Sequence, residues 1–433
     1  MARPATRAGR QAQVARLLVA ALTAGCASQG PPPGGPPRTT PAVILKTVPD
    51  SGAVVADLHG DAVVQFDEVI DEAPGSAQPG GAITGLAAKI LLSPVGGDVK
   101  VSWHRSSIHV APKEGWKANR AYRLEVLPGI ADLRRNVTKT GRTILFSTGG
   151  ALPNATLKGT ALQWVEQHVL AQAVIRAAPL PDTVAFLALT DSIGDFRLQG
   201  IPPGRYRVWA IQDQNNNRRL DRREAFDSVT VVVDSTASAV LWVFAHDTVG
   251  PRVRTVESVD SVTLRIAFSQ PLDPARAPDT TTVGVFTLPD TTPVRVRALY
   301  RPAQFDSIQA RARAVADSLK RRRDTTARRD TTARAGARPP AAQRPPAAAR
   351  APARDTTTAR VDTARVRKLL SARGVPSDRV VIQTAQPLTP GAKYLVRVRH
   401  AINLSGVVAD GVGVIEIPVP KPAPADSAKA KSR

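Results

Sequence analysis

Short stretches in which apolar and polar residues alternate recur along most of the chain, separated by turn residues. Residues 62–66 and 264–268 alternate in this way and each end at a phenylalanine, whereas residues 122–126 and 394–398 each begin at a tyrosine. A period of two places every second side chain on the same face of an extended strand. The pattern therefore predicts an all-β protein.

These two pairs of stretches form an internal repeat. Phe268 follows Phe66 by 202 residues, whereas Tyr394 follows Tyr122 by 272 residues, so the second copy carries 70 more residues between its two markers. That difference matches the length of a basic, low-complexity segment at 303–375. We therefore expect this segment to be an insertion between strands of a folded domain, because the entropy cost of closing a loop grows slowly with its length.

Several short motifs occur in the same order in both copies. The first copy opens with a strand and a P-x-x-G turn at 43–52, and the second contains the run F-S-Q-P-L-D at 268–273. A polar loop at 131–136 then leads to the last strand of the first copy. Both copies resemble the bacterial Ig-like domain of the S-layer protein SbsA type. The resemblance implies an antiparallel β-sandwich with no catalytic residues.

The region between the two copies has a different signature. Residues 194–211, GDFRLQGIPPGRYRVWAI, form a strand, a Pro-Pro-Gly turn and a second alternating strand. This run resembles the transthyretin-like domain, also called the carboxypeptidase regulatory-like domain. The resemblance implies another β-sandwich and no particular activity.

The predicted fold class is thus three antiparallel β-sandwich domains in tandem: Ig-like, transthyretin-like and Ig-like. We expect the first domain at 42–149 and the middle domain at 152–246. The third is expected at 248–302 together with 376–420, with the insertion 303–375 between its two parts.

A twelve-residue stretch, Asp213–Glu224 (DQNNNRRLDRRE), has the spacing of a calcium-binding loop of the EF-hand kind. Such loops place oxygen-bearing side chains at the first, third, fifth, ninth and twelfth positions and a backbone carbonyl at the seventh. The sixth position, usually glycine, is Arg218 here. An Asn-rich polar hairpin tip is the alternative, since Asn tolerates left-handed backbone. The predicted ligands of a structural calcium ion are Asp213, Asn215, Asn217, the carbonyl of Arg219, Asp221 and Glu224.

The N-terminal residues predict export and membrane anchoring. Four arginines precede a short apolar run, which ends in L-T-A-G-C at Cys26, the only cysteine in the sequence. This ending resembles a bacterial lipobox, so residues 1–26 are expected to be a lipoprotein signal peptide and Cys26 the lipidated residue. A Pro/Gly-rich linker follows at 27–41. Ala27 after the cysteine resembles an outer-membrane address. The alternative to a lipobox is an ordinary signal peptide with an incidental cysteine.

The formal net charge of +23 is unevenly distributed. Residues 301–373 hold 19 Lys or Arg and 6 Asp or Glu, which gives this segment a charge of +13. Its Ala/Pro/Arg composition buries too little apolar surface to offset the entropy of ordering, so we expect 303–375 to be disordered, as well as the tail 421–433. Because no aromatic residues lie between its central arginines, we expect no nucleic-acid partner; anionic lipid or polymer is the alternative.

No enzyme motif is evident. The six histidines form no H-E-x-x-H motif, and His104 and His109 would lie on opposite faces of a single strand. The G-x-S-x-G elbow and the phosphate-binding G-x-x-x-x-G-K loop are also missing from the sequence. We therefore expect a non-enzymatic protein.

Two functions from different classes are compatible with this sequence. The first is a cell-envelope lipoprotein that acts as a structural spacer, scaffold or adhesion module and contacts other envelope proteins. The second is a lipoprotein that binds carbohydrate or peptidoglycan, which requires two or three exposed, coplanar aromatic rings. The strand settings of the tryptophans place most of them in cores instead: Trp103, Trp116, Trp164, Trp209 and Trp242.

Overall fold

The computed structural model describes residues 39–73, 81–329 and 357–419. Within them, 23 strands form six sheets, which confirms the predicted all-β fold class. The predicted signal peptide, Cys26, most of the linker and the tail 421–433 lie outside the described residues. The described residues contain three α-helices, and none of these is long and apolar enough to cross a membrane.

The first domain packs a four-stranded sheet against a three-stranded sheet. The sheet orders are β1-β2-β5-β4 and β3-β6-β7, and all pairings are antiparallel. Its core holds Val64, Phe66, Tyr122 and Phe146, which come from both sheets. The elements are β1 (Ile44–Val48), β2 (Ala62–Phe66), α1 (Gly85–Ala88), β3 (Ile90–Ser93), β4 (Val99–His104), β5 (Ser107–Pro112), β6 (Ala121–Val126) and β7 (Arg142–Ser147).

The middle domain pairs the sheet β11-β10-β13-β14 with a second sheet of order β12-β8-β15, on which β9 pairs with β8. Strands β8 and β15 run parallel, so this domain departs from the purely antiparallel sandwich that we expected. Leu157, Phe196 and Tyr206 are among the residues that join the sheets in one core. The strands are β8 (Ala155–Gln163), β9 (His168–Val169), β10 (Val174–Pro179), β11 (Phe186–Leu189), β12 (Asp195–Ile201), β13 (Gly204–Ile211), β14 (Phe226–Val233) and β15 (Thr236–Val243).

The third domain has the sheets β16-β17-β21-β20 and β19-β18-β22-β23. Leu264, Phe268, Tyr394 and Val396 belong to its core. The elements are β16 (Val253–Asp260), β17 (Thr263–Leu272), a 3-10 turn (Pro274–Arg276), β18 (Val283–Thr287), β19 (Thr292–Val294), β20 (Val296–Tyr300), α2 (Pro302–Arg329), α3 (Thr357–Ser371), β21 (Ser377–Thr384), β22 (Lys393–Ile402) and β23 (Val408–Glu416).

The outer two domains repeat each other in detail. The order β16-β17-β21-β20 reproduces β1-β2-β5-β4, and β18-β22-β23 reproduces β3-β6-β7. The two marker tyrosines make the same contact: the hydroxyl of Tyr122 accepts a hydrogen bond from the backbone N–H of Lys117, and that of Tyr394 from Thr389, both at 2.8 Å. The repeat that we predicted from two pairs of aromatic residues is therefore a repeat of strand order and of local hydrogen bonding.

The insertion occupies the position of a tight hairpin. In the first domain, β4 passes directly into β5, whereas in the third domain the equivalent strands β20 and β21 are separated by α2 and α3. The prediction that all of 303–375 is disordered is thus wrong at both ends. Alanine and arginine favour helices, and Phe305 at the start of α2 is buried. Residues 330–356 lie outside the described residues.

Candidate functional site

The loop 213–224, which we call the interdomain loop, follows β13. Its turn is stabilised by hydrogen bonds to the side chain of its first residue. The carboxylate of Asp213 accepts the backbone N–H of Asn217 at 3.1 Å and that of Arg218 at 2.7 Å. Asn216 and Arg218 both adopt left-handed backbone, with φ of +57°. Arg218 therefore takes the conformation for which this kind of loop ordinarily uses glycine.

The remaining polar side chains of the loop also bond within it. The amide nitrogens of Asn215 and Asn217 donate to the Asp221 carboxylate at 2.6 and 2.8 Å. Their amide oxygens accept backbone N–H groups, and the buried Glu224 accepts the N–H of Gln214 and Asp221, both at 3.0 Å. In the described part of the chain, no three His, Cys, Asp or Glu side chains are grouped to hold a metal ion. The loop closes through its own hydrogen bonds, and calcium binding stays a prediction.

Arg218 connects the interdomain loop to the first domain. Its guanidinium donates to the backbone carbonyls of Ile90 and Ala88, both at 2.6 Å, and Ala87 lies at 3.5 Å. The Ala88 carbonyl is at the end of α1, where helix geometry leaves C=O groups without partners, and the Ile90 carbonyl is at the start of β3. Burial lowers the pKa of Arg218 to about 10, partly opposed by Asp213, so the side chain stays charged at neutral pH.

Three further contacts belong to this junction: the buried Arg123 donates to the carbonyl of Leu187 at 3.1 Å, and two others involve the interdomain loop or the segment that precedes α1. The backbone N–H of Ile83 donates to the carbonyl of Asn216 at 2.8 Å, and Arg219 forms an ion pair with Asp98 at 3.0 Å. The sequence singled out the same loop but assigned its oxygens to calcium. The departure at the sixth position, Arg218, was the signal that the loop also contacts a neighbouring domain.

A second junction joins the middle domain to the insertion of the third. Trp164, Trp242 and Phe244 form an aromatic cluster with ring-centroid distances of 6.5 Å between the tryptophans and 5.5 Å from Trp164 to Phe244. Partly buried residues of α3 pack against it, and Leu404 of the third domain does so too. The residues of α3 in this contact are Val366, Leu369 and Leu370.

Polar contacts at the edge of the aromatic cluster fix its geometry. The indole N–H of Trp164 donates to the carbonyl of Gly374 at 3.0 Å, and the Arg373 guanidinium lies 3.5 Å from the Trp164 ring centroid. Arg365 of α3 pairs with Asp195 at 2.7 Å. Our sequence interpretation missed this contact because it treated the insertion as one low-complexity segment, although the run V-R-K-L-L at 366–370 carries the apolar signal.

The remaining tryptophans and the histidines that the sequence singled out lie in the walls of the sandwiches. Trp103 and Trp116 are half-buried and donate their indole N–H groups to backbone carbonyls at 3.1 and 2.7 Å, whereas the half-buried Trp209 makes no such bond to the described residues. The prediction for His104 and His109 is wrong: they lie on neighbouring strands of a hairpin, with ring centroids 4.1 Å apart. Burial and the neighbouring His104 lower the pKa of His109.

Comparison with known proteins finds a family match for the first domain. The bacterial Ig-like domain family matches residues 38–148, which are the first sandwich. The match indicates a structural or binding module of an extracellular or envelope protein. No curated protein matches the chain. The resemblance of the middle domain to the transthyretin-like family stays a prediction.

Several solved structures are similar at low identity. They include the Bacillus anthracis TIE protein, at 13% identity and a TM-score of 0.16. The match covers 68% of this chain and 52% of that one. The major pilin subunit BcpA of Bacillus cereus is similar over 45% of this chain and 67% of that one (10%, TM-score 0.18). A putative carbohydrate-binding protein from Bacteroides uniformis matches over 61% of this chain and 100% of that one, at 11% identity and a TM-score of 0.17. No function is inferred from these likenesses.

Proposed function

We propose that this protein is a non-enzymatic lipoprotein of the bacterial cell envelope, in which three β-sandwich domains act as a coupled structural spacer or scaffold. The observation that carries the proposal is the pair of junctions. A spacer keeps its two ends at a defined separation only if its domains are fixed to one another, and each junction here contains directional contacts that are partly buried.

The first junction fixes direction through the Arg218 guanidinium, whose planar fork binds the carbonyls of Ile90 and Ala88. The second junction fixes the middle domain through Trp164, whose ring is covered by Arg373 and whose N–H is bonded to Gly374. Contacts of this kind are absent from flexible linkers, which leave neighbouring domains free to move. The geometry thus supports a unit whose domains keep a defined arrangement.

The membrane anchor belongs to the same proposal. Lipidation of Cys26 behind a Pro/Gly-rich linker holds the domains at a distance from the bilayer, and the Ig-like match supports an envelope setting. Ala27 favours the outer membrane. A partner would be another envelope protein that binds the exposed surface of the sandwiches.

Carbohydrate or peptidoglycan binding is the second candidate, and one observation bears on it. No two of the five tryptophans form an exposed flat platform, since Trp164 and Trp242 are buried and the other three are half-buried. A glycan function through a flat aromatic face is therefore less well supported than the spacer function.

Membrane fractionation of the full-length protein tests the anchored assignment. Cys26→Ser removes the lipidated thiol, and we expect the exported variant to leave the membrane fraction and become soluble. Ser28→Ala, two residues beyond, is the matched control and should fractionate as the parent does. If Cys26→Ser remains with membranes at high salt, the lipid-anchor proposal is wrong.

A further inference from the structure

The outer face of one sheet of the middle domain forms the floor of a cavity against the first domain, which we call the interdomain cleft. On β10 and β13, Ile175 and Val208 point into the core, so Arg176 and Trp209 point the other way, towards the cleft. Arg176 and Trp209 are directly opposed in the strand register, so they lie side by side on this floor. The cleft has a volume of about 720 Å³.

The cleft has the size and lining of a ligand site. Small-molecule pockets commonly measure roughly 300–1,000 Å³ and combine apolar walls with a few polar groups. Here the apolar walls come from both domains, with Ile90 and Val101 on one side and Leu187 on the other. The aromatic surface is that of the half-buried Trp209.

The charged groups of the cleft are mainly cationic, and most already have partners. Arg218 binds backbone carbonyls, Arg219 pairs with Asp98, and Asp182 accepts nearby backbone N–H groups. Arg207 lies with its guanidinium 5.4 Å from the Trp209 ring centroid and donates to the Ser228 hydroxyl at 3.3 Å.

Arg176 differs from these residues. It is half-buried, yet its guanidinium makes no hydrogen bond or ion pair with any part of the chain that the structure describes. Burial and the neighbouring Arg219 lower its pKa. A guanidinium that is partly removed from water, next to a second cation and without an acceptor, is unfavourable for folding. A bound anion would supply the missing acceptor.

We propose that the interdomain cleft binds a ligand in which a carboxylate is attached to a ring, with Arg176 holding the carboxylate and Trp209 packing against the ring. Guanidinium groups form paired hydrogen bonds with carboxylates. The indole face and the apolar walls suit the less polar face of a ring. Arg207, beside Trp209, adds a second positive charge. This binding activity does not depend on the spacer function.

Calorimetric titration of the full-length protein tests the proposal with four probes. Glucuronate and benzoate carry a carboxylate on a sugar ring and on an aromatic ring, glucose is the neutral counterpart, and inorganic phosphate is an anion without a ring. We expect at least one ring carboxylate to bind at roughly millimolar Kd or tighter, and glucose and phosphate to bind at least about tenfold more weakly. The two carboxylates distinguish a saccharide acid from an aromatic acid.

Arg176→Met and Trp209→Ala should each weaken the binding of that carboxylate by about tenfold or more. Arg254→Gln, which removes an exposed arginine of the third domain, is the matched control and should bind as the parent does. Arg176→Met should also leave the melting temperature unchanged or raise it, because it removes an unpartnered charge. A purely structural Arg176 would instead give a loss of stability.

Three results would overturn the proposal. The first is that neither carboxylate binds the parent protein. The second is that Arg176→Met binds the carboxylate as tightly as the parent and the Arg254→Gln control. The third is that phosphate binds as tightly as the ring carboxylates, which would reduce the cleft to a site for any small anion.

Discussion

The two junctions of the molecule both hold neighbouring domains together, one mainly by polar contacts and the other mainly by aromatic and apolar packing. Between the first and middle domains, the contacts are polar: Arg218 donates to backbone carbonyls, and Arg219 pairs with Asp98. Between the middle domain and the insertion, the contact is an aromatic cluster centred on Trp164, covered by apolar residues of α3. A cavity lies beside each junction: the interdomain cleft beside the polar one, and a second cavity, lined in part by Arg365 and Leu369 of α3, beside the aromatic one.

This difference separates two contributions to stability. Burial of a large aromatic side chain removes much apolar surface from water and contributes several kcal/mol. A hydrogen bond that replaces a bond to water contributes about 1 kcal/mol net, although an unsatisfied partner is costly. The aromatic junction should therefore contribute more stability, and the polar junction should contribute more to the relative orientation of the domains it joins.

The largest effect is expected when the aromatic junction is broken. Trp164→Ala should lower the free energy of unfolding by about 3–5 kcal/mol, because a buried indole is lost and the cluster is left with a cavity. Trp209→Ala, which truncates a half-buried tryptophan of the same domain, should cost clearly less. Chemical denaturation of both variants gives the comparison, and equal losses would show that the cluster is no more important than an ordinary surface of the sandwich.

Loss of the polar junction should have the next largest effect. Arg218→Ala should cost about 2–3 kcal/mol, since the carbonyls of Ile90 and Ala88 lose their charged donor. Arg219→Ala serves as the control and should cost less than about 1 kcal/mol, because the Arg219 side chain is 52% exposed and its ion pair competes with water. Similar melting temperatures for these two variants would contradict the role given to Arg218.

A smaller effect is expected from calcium at the interdomain loop. If the predicted ligands bind the ion at roughly 0.1–1 mM, millimolar calcium should stabilise the protein by about 1 kcal/mol relative to chelator. Arg218→Gly should strengthen binding, since it removes a charge and suits the left-handed backbone at φ +57°. Asp213→Ala and Glu224→Ala should abolish the effect, and identical melting of the parent in both buffers would leave the hydrogen-bonded polar turn.

Acidification should have the smallest effect. Burial is the main cause that lowers the pKa of both His109 and His246 below the ordinary 6.5. Below pH 6.5 the unfolded chain therefore binds more protons than the folded chain, so the free energy of unfolding should fall as pH falls through that range and stay level above it. Denaturation curves at several pH values test this, with His109→Gln and His246→Gln expected to flatten the slope.

The sequence predicted the sandwiches well because their signals are local. Alternation around Phe66 and Tyr122, and again around Phe268 and Tyr394, fixes which side chains enter a core, and this pattern is visible without knowledge of the neighbours. The parallel pairing of β8 with β15 was not predictable in this way, since a strand shows its alternation but not its partner.

The junctions were harder to predict because they depend on residues far apart in the chain. Arg218 contacts carbonyls about 130 residues earlier, and Trp164 bonds to Gly374, which lies 210 residues later. The overall composition of 303–375 is poor in large apolar residues, so it does not reveal the few that pack against the middle domain, such as Leu369. The calcium spacing identified the right loop, and only the departure from that spacing at Arg218 pointed to a contact outside the loop.

The most direct test of a coupled spacer is the distance between its outer domains in solution. Spin labels at Lys117→Cys and Arg254→Cys, two exposed positions of the first and third domains, can be introduced in a Cys26→Ser background and measured by pulsed electron resonance. We predict one narrow distance distribution, which broadens when Arg218→Ala or Trp164→Ala is added. A distribution that is already broad without these substitutions would contradict the account.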